Sequence, residues 1–201
     1  MSEPRAPLYP FRPRPGPGNL REVAEQIENA TGLRVQIMGG SLVMSPTPRG
    51  KHAGVIHRLR RQLEPSLPEG LAAYEVSSIA LPDDPDDYVT PDLIVLPEEW
   101  GDDDDWLAAP EDAALAVEVI SKSERSREIR DKVDWYAGAG VAALLVVDPR
   151  HGTWVLYTQP EAAAYKDTRQ GKFGETVPLP DPLGFDVGTD EFPVYGDEPR
   201  R

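Results

Sequence analysis

Three consecutive segments carry most of the structural information in this sequence: ALAVEVIS at residues 114–121, SERSREIRDKVDWYAGAG at 123–140 and VAALLVVDP at 141–149. The first and third segments are almost continuously apolar, which is typical of strands buried on both faces of a sheet. The middle segment repeats apolar residues at helical spacing. A helix between two such strands usually joins them in parallel, so residues 113–148 predict a parallel pair within a mixed α/β protein.

Weaker patterns on either side of this unit predict the remaining elements. Helical spacing of apolar residues predicts one helix from Asn19 to Gly32 and a second along a stripe from His52 to Leu63. RVQIMGGSLVMS at residues 34–45 predicts two short strands joined by a Gly-Gly turn. The other predicted elements are a strand AAYEVSSIAL (72–81), a strand YVTPDLIVL (88–96), a surface loop EEWGDDDDWL (98–107), an edge strand GTWVLYT (152–158) and a largely irregular segment beyond Gln159 with short strands near 162–178.

Length and composition predict the domain organisation and the compartment. The chain has 201 residues, enough for one domain, which is expected over 19–195 between disordered tails at 1–18 and 196–201. It contains no cysteine, which excludes disulfides, thiolate metal sites and a cysteine nucleophile. No segment reaches the roughly 18 consecutive apolar residues of a membrane span, and the N-terminus lacks the apolar core of a secretory signal. A cytoplasmic protein outside the membrane is therefore expected.

Charge is distributed unevenly along the chain. The net charge is −14, and residues 62–118 contain seventeen acidic residues and no basic residue. Such a block repels phosphate backbones unless cations neutralise it, which argues against nucleic-acid binding without a metal ion. Solubility is the alternative explanation for the acidic residues of the loops. The candidates for phosphate contacts are basic residues on and beside the second predicted helix, namely Arg49, Lys51, Arg58, Arg60 and Arg61.

Two acidic residues occupy strand positions where a carboxylate is difficult to bury. Glu118 lies inside the apolar run 114–121, where an unpaired charge would be strongly destabilising. Asp92 follows Pro91 and begins the apolar run LIVL. In neighbouring strands these carboxylates would repel each other, and Mg²⁺ or Mn²⁺ binding would relieve that repulsion. The pair predicts a metal site; a sheet edge for Glu118 and a turn or cap for Asp92 are the alternatives.

An ordered set of motifs resembles a known family. The matching segments are GGSLVMSPTPRGKH (39–52), PDLIVL (91–96), EVIS (118–121), the spaced residues Lys132, Tyr136, Gly140 and Val141, and VVDP (146–149). Their succession resembles the Uma-type family of restriction endonucleases, a branch of the PD-(D/E)XK nuclease superfamily. The resemblance spans roughly residues 20–190. It implies a restriction-endonuclease-like fold, in which helices flank a mixed sheet.

The resemblance also implies a metal-dependent phosphodiester hydrolase acting on DNA. Asp92 and Glu118 would be catalytic carboxylates and would bind Mg²⁺ (or Mn²⁺) together with the backbone carbonyl of Val119. The metal would lower the pKa of a bound water and stabilise charge on the phosphate. A lysine normally lies two residues after the second acid, but that position here is Ile120. Lys132, at the flank of the buried side of its helix, is the expected catalytic replacement; a snorkelling surface lysine is the alternative.

Three further residues are candidate contacts to the substrate. They are His52, Ser121 and Lys122. The alternatives are packing for His52, helix capping for Ser121 and an outward orientation for Lys122. Tyr136 is assigned to the core rather than to catalysis.

The sequence therefore leads to two main hypotheses of function. The first is a Mg²⁺-dependent DNA endonuclease, for which a homodimer is the simplest arrangement when both strands of a duplex are cut. The second is a catalytically inactive nuclease-fold module that binds a partner or nucleic acid, motivated by Ile120 and by the acidic block 62–118. A small-molecule hydrolase has less support because the chain has no nucleophile elbow, P-loop or GxGxxG motif.

Overall fold

The computed structural model describes residues 19–45 and 48–196. These residues form a mixed α/β structure in which helices flank mixed sheets, as predicted. The α-helices are α1 (Asn19–Thr31), α2 (Gly50–Leu63) and α3 (Ser126–Ala139). No helix among the described residues is both long and apolar enough to cross a bilayer. The tails predicted at 1–18 and 196–201 lie outside the described residues, apart from Gly196.

The strands form two main sheets. The larger sheet has six strands, in the order β11 (Ala164–Lys172), β10 (Thr153–Glu161), β9 (Ala143–Asp148), β8 (Leu115–Val119), β6 (Leu93–Pro97) and β3 (Leu71–Tyr74). The smaller sheet has five, in the order β2 (Ser41–Ser45), β1 (Arg34–Met38), β5 (Asp84–Val89), β4 (Ser78–Leu81) and β7 (Leu107–Ala108). A short antiparallel pair joins β12 (Val177–Pro178) and β13 (Asp186–Val187). The predicted parallel pair is confirmed, since β8 and β9 run in parallel on either side of α3 in the chain.

The larger sheet is buried on both faces, which is why its central strands are almost entirely apolar. In β8, Leu115, Val117 and Val119 pack in the cluster that includes α2. Ala116 and Ile120, the residue directly after β8, pack in the cluster that includes α3. Side chains alternate between the faces of a strand, so the side chain between Ala116 and Ile120 also faces α3. That side chain is the carboxylate at position 118.

The two segments predicted as single strands are each divided between the two sheets, so those predictions are wrong. Residues 72–81 change sheets at a turn that contains Val76, whose φ is 66°. Residues 88–96 leave β5 after Val89 and enter β6 at Leu93. Pro91 lies in the gap and has no N–H to donate to a ladder, which explains why the strand is interrupted there. The crossing brings the residue after Pro91 to the boundary between the sheets.

Two further predictions are wrong because polar sequence concealed regular structure. The expected loop 98–107 contains a 3₁₀-helix, Glu98–Asp102, and the first residue of β7. The expected edge strand is the inner strand β10, because β11 pairs along its whole length on the outer side. Side chains of β11 are exposed or partly exposed throughout, so the ladder to β10, rather than an apolar face, holds this strand.

Candidate active site

Asp92 lies just before β6 and is attached to the neighbouring strand β8. Its backbone N–H donates to the carbonyl of Val117 at 3.0 Å. Its Oδ2 accepts the backbone N–H of Val119 at 2.8 Å, and its Oδ1 lies 3.0 Å from Nε2 of His52 on α2. The carboxylate is therefore held from both sides, by β8 and by α2. Its side chain is 16% exposed, which leaves part of it accessible to solvent.

Glu118 projects from β8 towards α3 and is 4% exposed. Its Oε2 accepts a hydrogen bond from Nζ of Lys132 at 2.6 Å, and its Oε1 accepts one from the hydroxyl of Tyr136 at 2.7 Å. Lys132 and Tyr136 are four residues apart on α3, so both point from the same side of the helix. Burial raises the pKa of Glu118 and the negative charge of Asp92 raises it further, whereas Lys132 and Tyr136 act to lower it.

Lys132 lies between two carboxylates. Besides Glu118, its Nζ ion-pairs with Oε1 of Glu124 at 3.1 Å, and its side chain is only 14% exposed. Burial by itself acts to lower the pKa of Lys132, but Glu118 and Glu124 outweigh it and raise that pKa above its ordinary range. The ammonium group therefore stays charged at neutral pH.

Two members of this cluster were not identified as site residues from the sequence. Tyr136 is fully buried, as expected of a core residue, yet its hydroxyl is directed at Glu118. Its position four residues after Lys132 was the signal that could have linked it to the site. Glu124 lies in the connection from β8 to α3, where nothing in the sequence distinguishes it from a solvated acid. The carbonyl of Glu124 accepts a hydrogen bond from Nη1 of Arg150 at 2.5 Å, which anchors this connection.

The three candidate substrate contacts have different environments. His52 is buried against Asp92, as described above. Lys122 is exposed and donates from Nζ to the carbonyl of Gly196 at 3.0 Å. Ser121 donates its backbone N–H to the carboxylate of Glu124 at 3.2 Å. Ser121 does not cap α3, because that helix begins at Ser126.

The oxygen atoms available to a cation come from few residues. The carboxylates of Asp92 and Glu118 lie on the adjacent strands β6 and β8 or directly beside them, and the backbone of Val119 contacts Asp92. Within the described parts of the chain, no three His, Asp or Glu side chains form a group that could hold a metal ion.

Comparisons with known proteins agree with this architecture. The pattern of the Uma2 family, described as "Putative restriction endonuclease", matches residues 21–190. A crystal structure of "a putative nuclease belonging to DUF820" from Anabaena variabilis ATCC 29413 is similar, with a TM-score of 0.63 and 15% sequence identity, covering 81% of this chain and 90% of that chain. Comparison with curated proteins gives no match. The likeness in structure confirms the predicted restriction-endonuclease-like fold. Since the family pattern matches most of its length, the chain belongs to the Uma2 family of nucleases.

Proposed function

We propose that this nuclease-family protein is a Mg²⁺- or Mn²⁺-dependent endonuclease that hydrolyses phosphodiester bonds in DNA. The observation that carries the proposal is the convergence of Asp92, Glu118 and Lys132, with the lysine ammonium 2.6 Å from the second carboxylate. These are the three residue types of a PD-(D/E)XK site, although the lysine is supplied by α3 rather than by the strand. Ile120 takes the strand position and packs among the buried residues beneath α3.

The donor set fits a hard divalent cation. Carboxylates and a backbone carbonyl are the oxygen ligands that Mg²⁺ takes, and Mg²⁺ usually keeps several waters, so few protein ligands are needed. In this chain Asp92, Glu118 and the carbonyl of Val119 would hold it. The pKa of Glu118 is raised by burial and further by the charge of Asp92, so the charged form of Glu118 is disfavoured in this environment. A bound cation would reverse that effect, polarise the phosphate and activate water for attack.

Lys132 contributes a fixed positive charge rather than a base. Because its pKa is raised by Glu118 and Glu124, it remains protonated and cannot remove a proton from water at neutral pH. An ammonium group has three N–H donors, and the contacts to Glu118 and Glu124 take two of them. A remaining donor is available to a phosphate oxygen, where a buried positive charge stabilises the charge that develops during hydrolysis.

Tyr136 and His52 are proposed as positioning residues. Tyr136 fixes one oxygen of Glu118, and His52 fixes one oxygen of Asp92. Each contact restricts the rotation of a carboxylate that would otherwise have to be ordered when the cation binds. Such preorganisation is worth most where both partners are buried, as they are for Tyr136 and Glu118.

One specific observation favours an inactive binding module as the second candidate. Both oxygens of Glu118 already have partners, Lys132 and Tyr136, so the buried charge is compensated without any cation. A module of this kind would fold and bind its partner with no metal. Metal affinity therefore separates the two candidates before any substrate is known.

The test combines metal binding with DNA cleavage. Titration calorimetry with Mn²⁺ is measured on the wild type and on Asp92→Asn, with the exposed Asp104→Asn as the charge-matched control. Supercoiled and single-stranded DNA are then incubated with Mg²⁺ or Mn²⁺. We expect metal-dependent cleavage that survives in Asp104→Asn and disappears in Asp92→Asn and Lys132→Met. Metal binding that is absent, or unaffected by Asp92→Asn, would refute the proposed site and favour the inactive module.

The proposal includes a homodimer for duplex cleavage. Two copies would bring one site to each strand of the DNA. Light scattering of the free protein and of its complex with a short duplex measures the stoichiometry. A single copy that cuts both strands would remove this part of the proposal.

A further inference from the structure

A cleft ends at Asp92, and its lining is richer in arginine than the acidic chain as a whole. The cleft has a volume of about 530 Å³ and is lined by α2, by Arg34 at the start of β1 and by the turn between β3 and β4. Asp92 is one of its lining residues. The cleft therefore reaches one carboxylate of the proposed cation site, and the inference rests on the proposed function.

Two guanidinium groups in this cleft are available to a ligand. Arg60 is already neutralised, because it pairs with Glu64 at 2.5 Å and with Glu75 at 3.3 Å. By contrast, Arg34 and Arg61 make no side-chain hydrogen bond or ion pair with any other described residue. Unpaired arginines in a concave surface are suited to phosphate oxygens, which accept two N–H donors from one guanidinium.

The wall of the same cleft carries an exposed apolar side chain on a strained backbone. Val76 is 66% exposed, and its φ of 66° lies in the left-handed region that β-branched residues avoid. The exposed side chain buries no apolar surface in the core, and the left-handed backbone is unfavourable for a β-branched residue. Strained residues of this kind cluster at ligand-binding sites, where the strain serves to present a side chain. An isopropyl group held beside two free arginines presents an apolar surface next to two anion contacts.

We propose that this cleft binds one single strand of nucleic acid, with phosphates on Arg34 and Arg61 and a base against Val76, and leads that strand to Asp92. An unpaired strand exposes the faces of its bases, which apolar side chains can cover, whereas a duplex stacks them internally. A duplex also carries twice the charge per unit length of a single strand. With only two free arginines in the cleft, and with Glu64 and Glu75 on its walls, the lower charge density is favoured.

The binding test uses fluorescently labelled oligo(dT) and a matched duplex in EDTA, so that cleavage cannot interfere. Anisotropy titrations compare the wild type with Arg34→Gln/Arg61→Gln. The control Lys166→Gln/Arg169→Gln removes the same charge from β11, far along the larger sheet. We expect the cleft variant to bind oligo(dT) about tenfold more weakly, with a salt dependence reduced by about 1.4 in slope for two lost phosphate contacts, and the control to bind as the wild type does.

Conservative variants separate binding from folding. Arg34→Lys/Arg61→Lys keeps both charges but loses the paired donors of each guanidinium, so its affinity should lie between those of the wild type and Arg34→Gln/Arg61→Gln. Val76→Gly removes the apolar group and relieves the left-handed conformation, so it should raise the unfolding midpoint while weakening oligo(dT) binding several-fold. If Val76 had only a structural role, the variant would not gain stability while losing affinity for oligo(dT). Unchanged affinity in Val76→Gly would remove the base contact from the proposal.

The outcomes distinguish this inference from the proposed function. Tighter binding of duplex than of oligo(dT), equal weakening in the β11 control, or no binding by the wild type would overturn the single-strand cleft. Cleavage with Mn²⁺ is measured separately on the same proteins. Cleavage without oligo(dT) binding would leave the proposed function standing and refute the cleft, whereas oligo(dT) binding without cleavage would do the reverse.

Discussion

Replacing Lys132 with methionine removes the positive charge from a buried carboxylate while preserving most of the side-chain volume. At the observed 2.6 Å, two unit charges attract by about 6 kcal/mol at an effective dielectric constant of about 20. Much of this attraction offsets the desolvation of both groups, so the net worth of the intact pair is small. The variant, however, keeps the desolvation of Glu118 and loses its partner. We therefore expect Lys132→Met to lower the free energy of unfolding by about 3–5 kcal/mol at pH 7.

The second variant decides whether this reasoning is correct. In Lys132→Met/Glu118→Gln the buried charge is gone as well, and the amide still accepts the hydroxyl of Tyr136, so most of the lost stability should return. Glu124 stays without its lysine and retains a smaller penalty. Urea denaturation at neutral pH, with fluorescence of the tryptophans, measures all three proteins. The explanation by an uncompensated buried charge would be refuted by either of two results. One is a double variant that is as unstable as Lys132→Met; the other is a Lys132→Met variant whose free energy of unfolding lies within about 1 kcal/mol of the wild type.

Three further predictions follow from individual contacts. Tyr136→Phe should lower the free energy of unfolding by about 1.5–3 kcal/mol, because the hydroxyl's hydrogen bond to the Glu118 carboxylate is lost. The loss should be smaller in a Glu118→Gln background, where the hydroxyl donates to a neutral amide, and an equal loss in both backgrounds would contradict the role of charge. For Asp148, burial acts to raise the pKa, but hydrogen bonds led by Arg150 prevail and lower it. The ionised Asp148 therefore stabilises the fold above its ordinary pKa of 3.8, and this stabilisation is lost as the pH falls. Asp148→Asn should lower the free energy of unfolding by about 1–2 kcal/mol at pH 7 and by less in acid. A loss that does not depend on pH would contradict this. Gly140 ends α3 at a φ of 86°, a left-handed conformation that alanine adopts at a cost, although there is open space for its methyl group. Gly140→Ala should therefore lower the free energy of unfolding by about 1–2 kcal/mol, and an unchanged midpoint of thermal unfolding would contradict this.

The fold could be predicted where burial left a strong pattern and not elsewhere. The unit from β8 to β9 was predictable, because apolar strands with a helix between them have few alternatives. The crossings at Val76 and Pro91 were not, since a change of sheet leaves the alternation of apolar residues almost intact. Strand β11 is held by its ladder to β10 and has a polar sequence, so hydrophobic periodicity has nothing to detect there.

The same contrast holds for the candidate site. Asp92 and Glu118 were conspicuous because a carboxylate among apolar strand residues needs a physical explanation. Lys132 followed from its position on the helix. Tyr136 was missed because its sequence position predicts burial, which is correct, and says nothing about what its hydroxyl contacts. Glu124 was missed because its role depends on the path of a connection, which local sequence does not determine.

Placing the lysine on α3 has a consequence for how related chains are recognised. The ammonium and phenol that hold Glu118 come 14 and 18 residues after it, and both lie on one turn of a single helix. A search motif that demands a lysine two residues after the acid would discard this chain at Ile120. A motif that accepts an apolar residue there, and instead requires Lys and Tyr at those two offsets, would retain it. A search built on the strand motif alone would therefore miss chains of this arrangement.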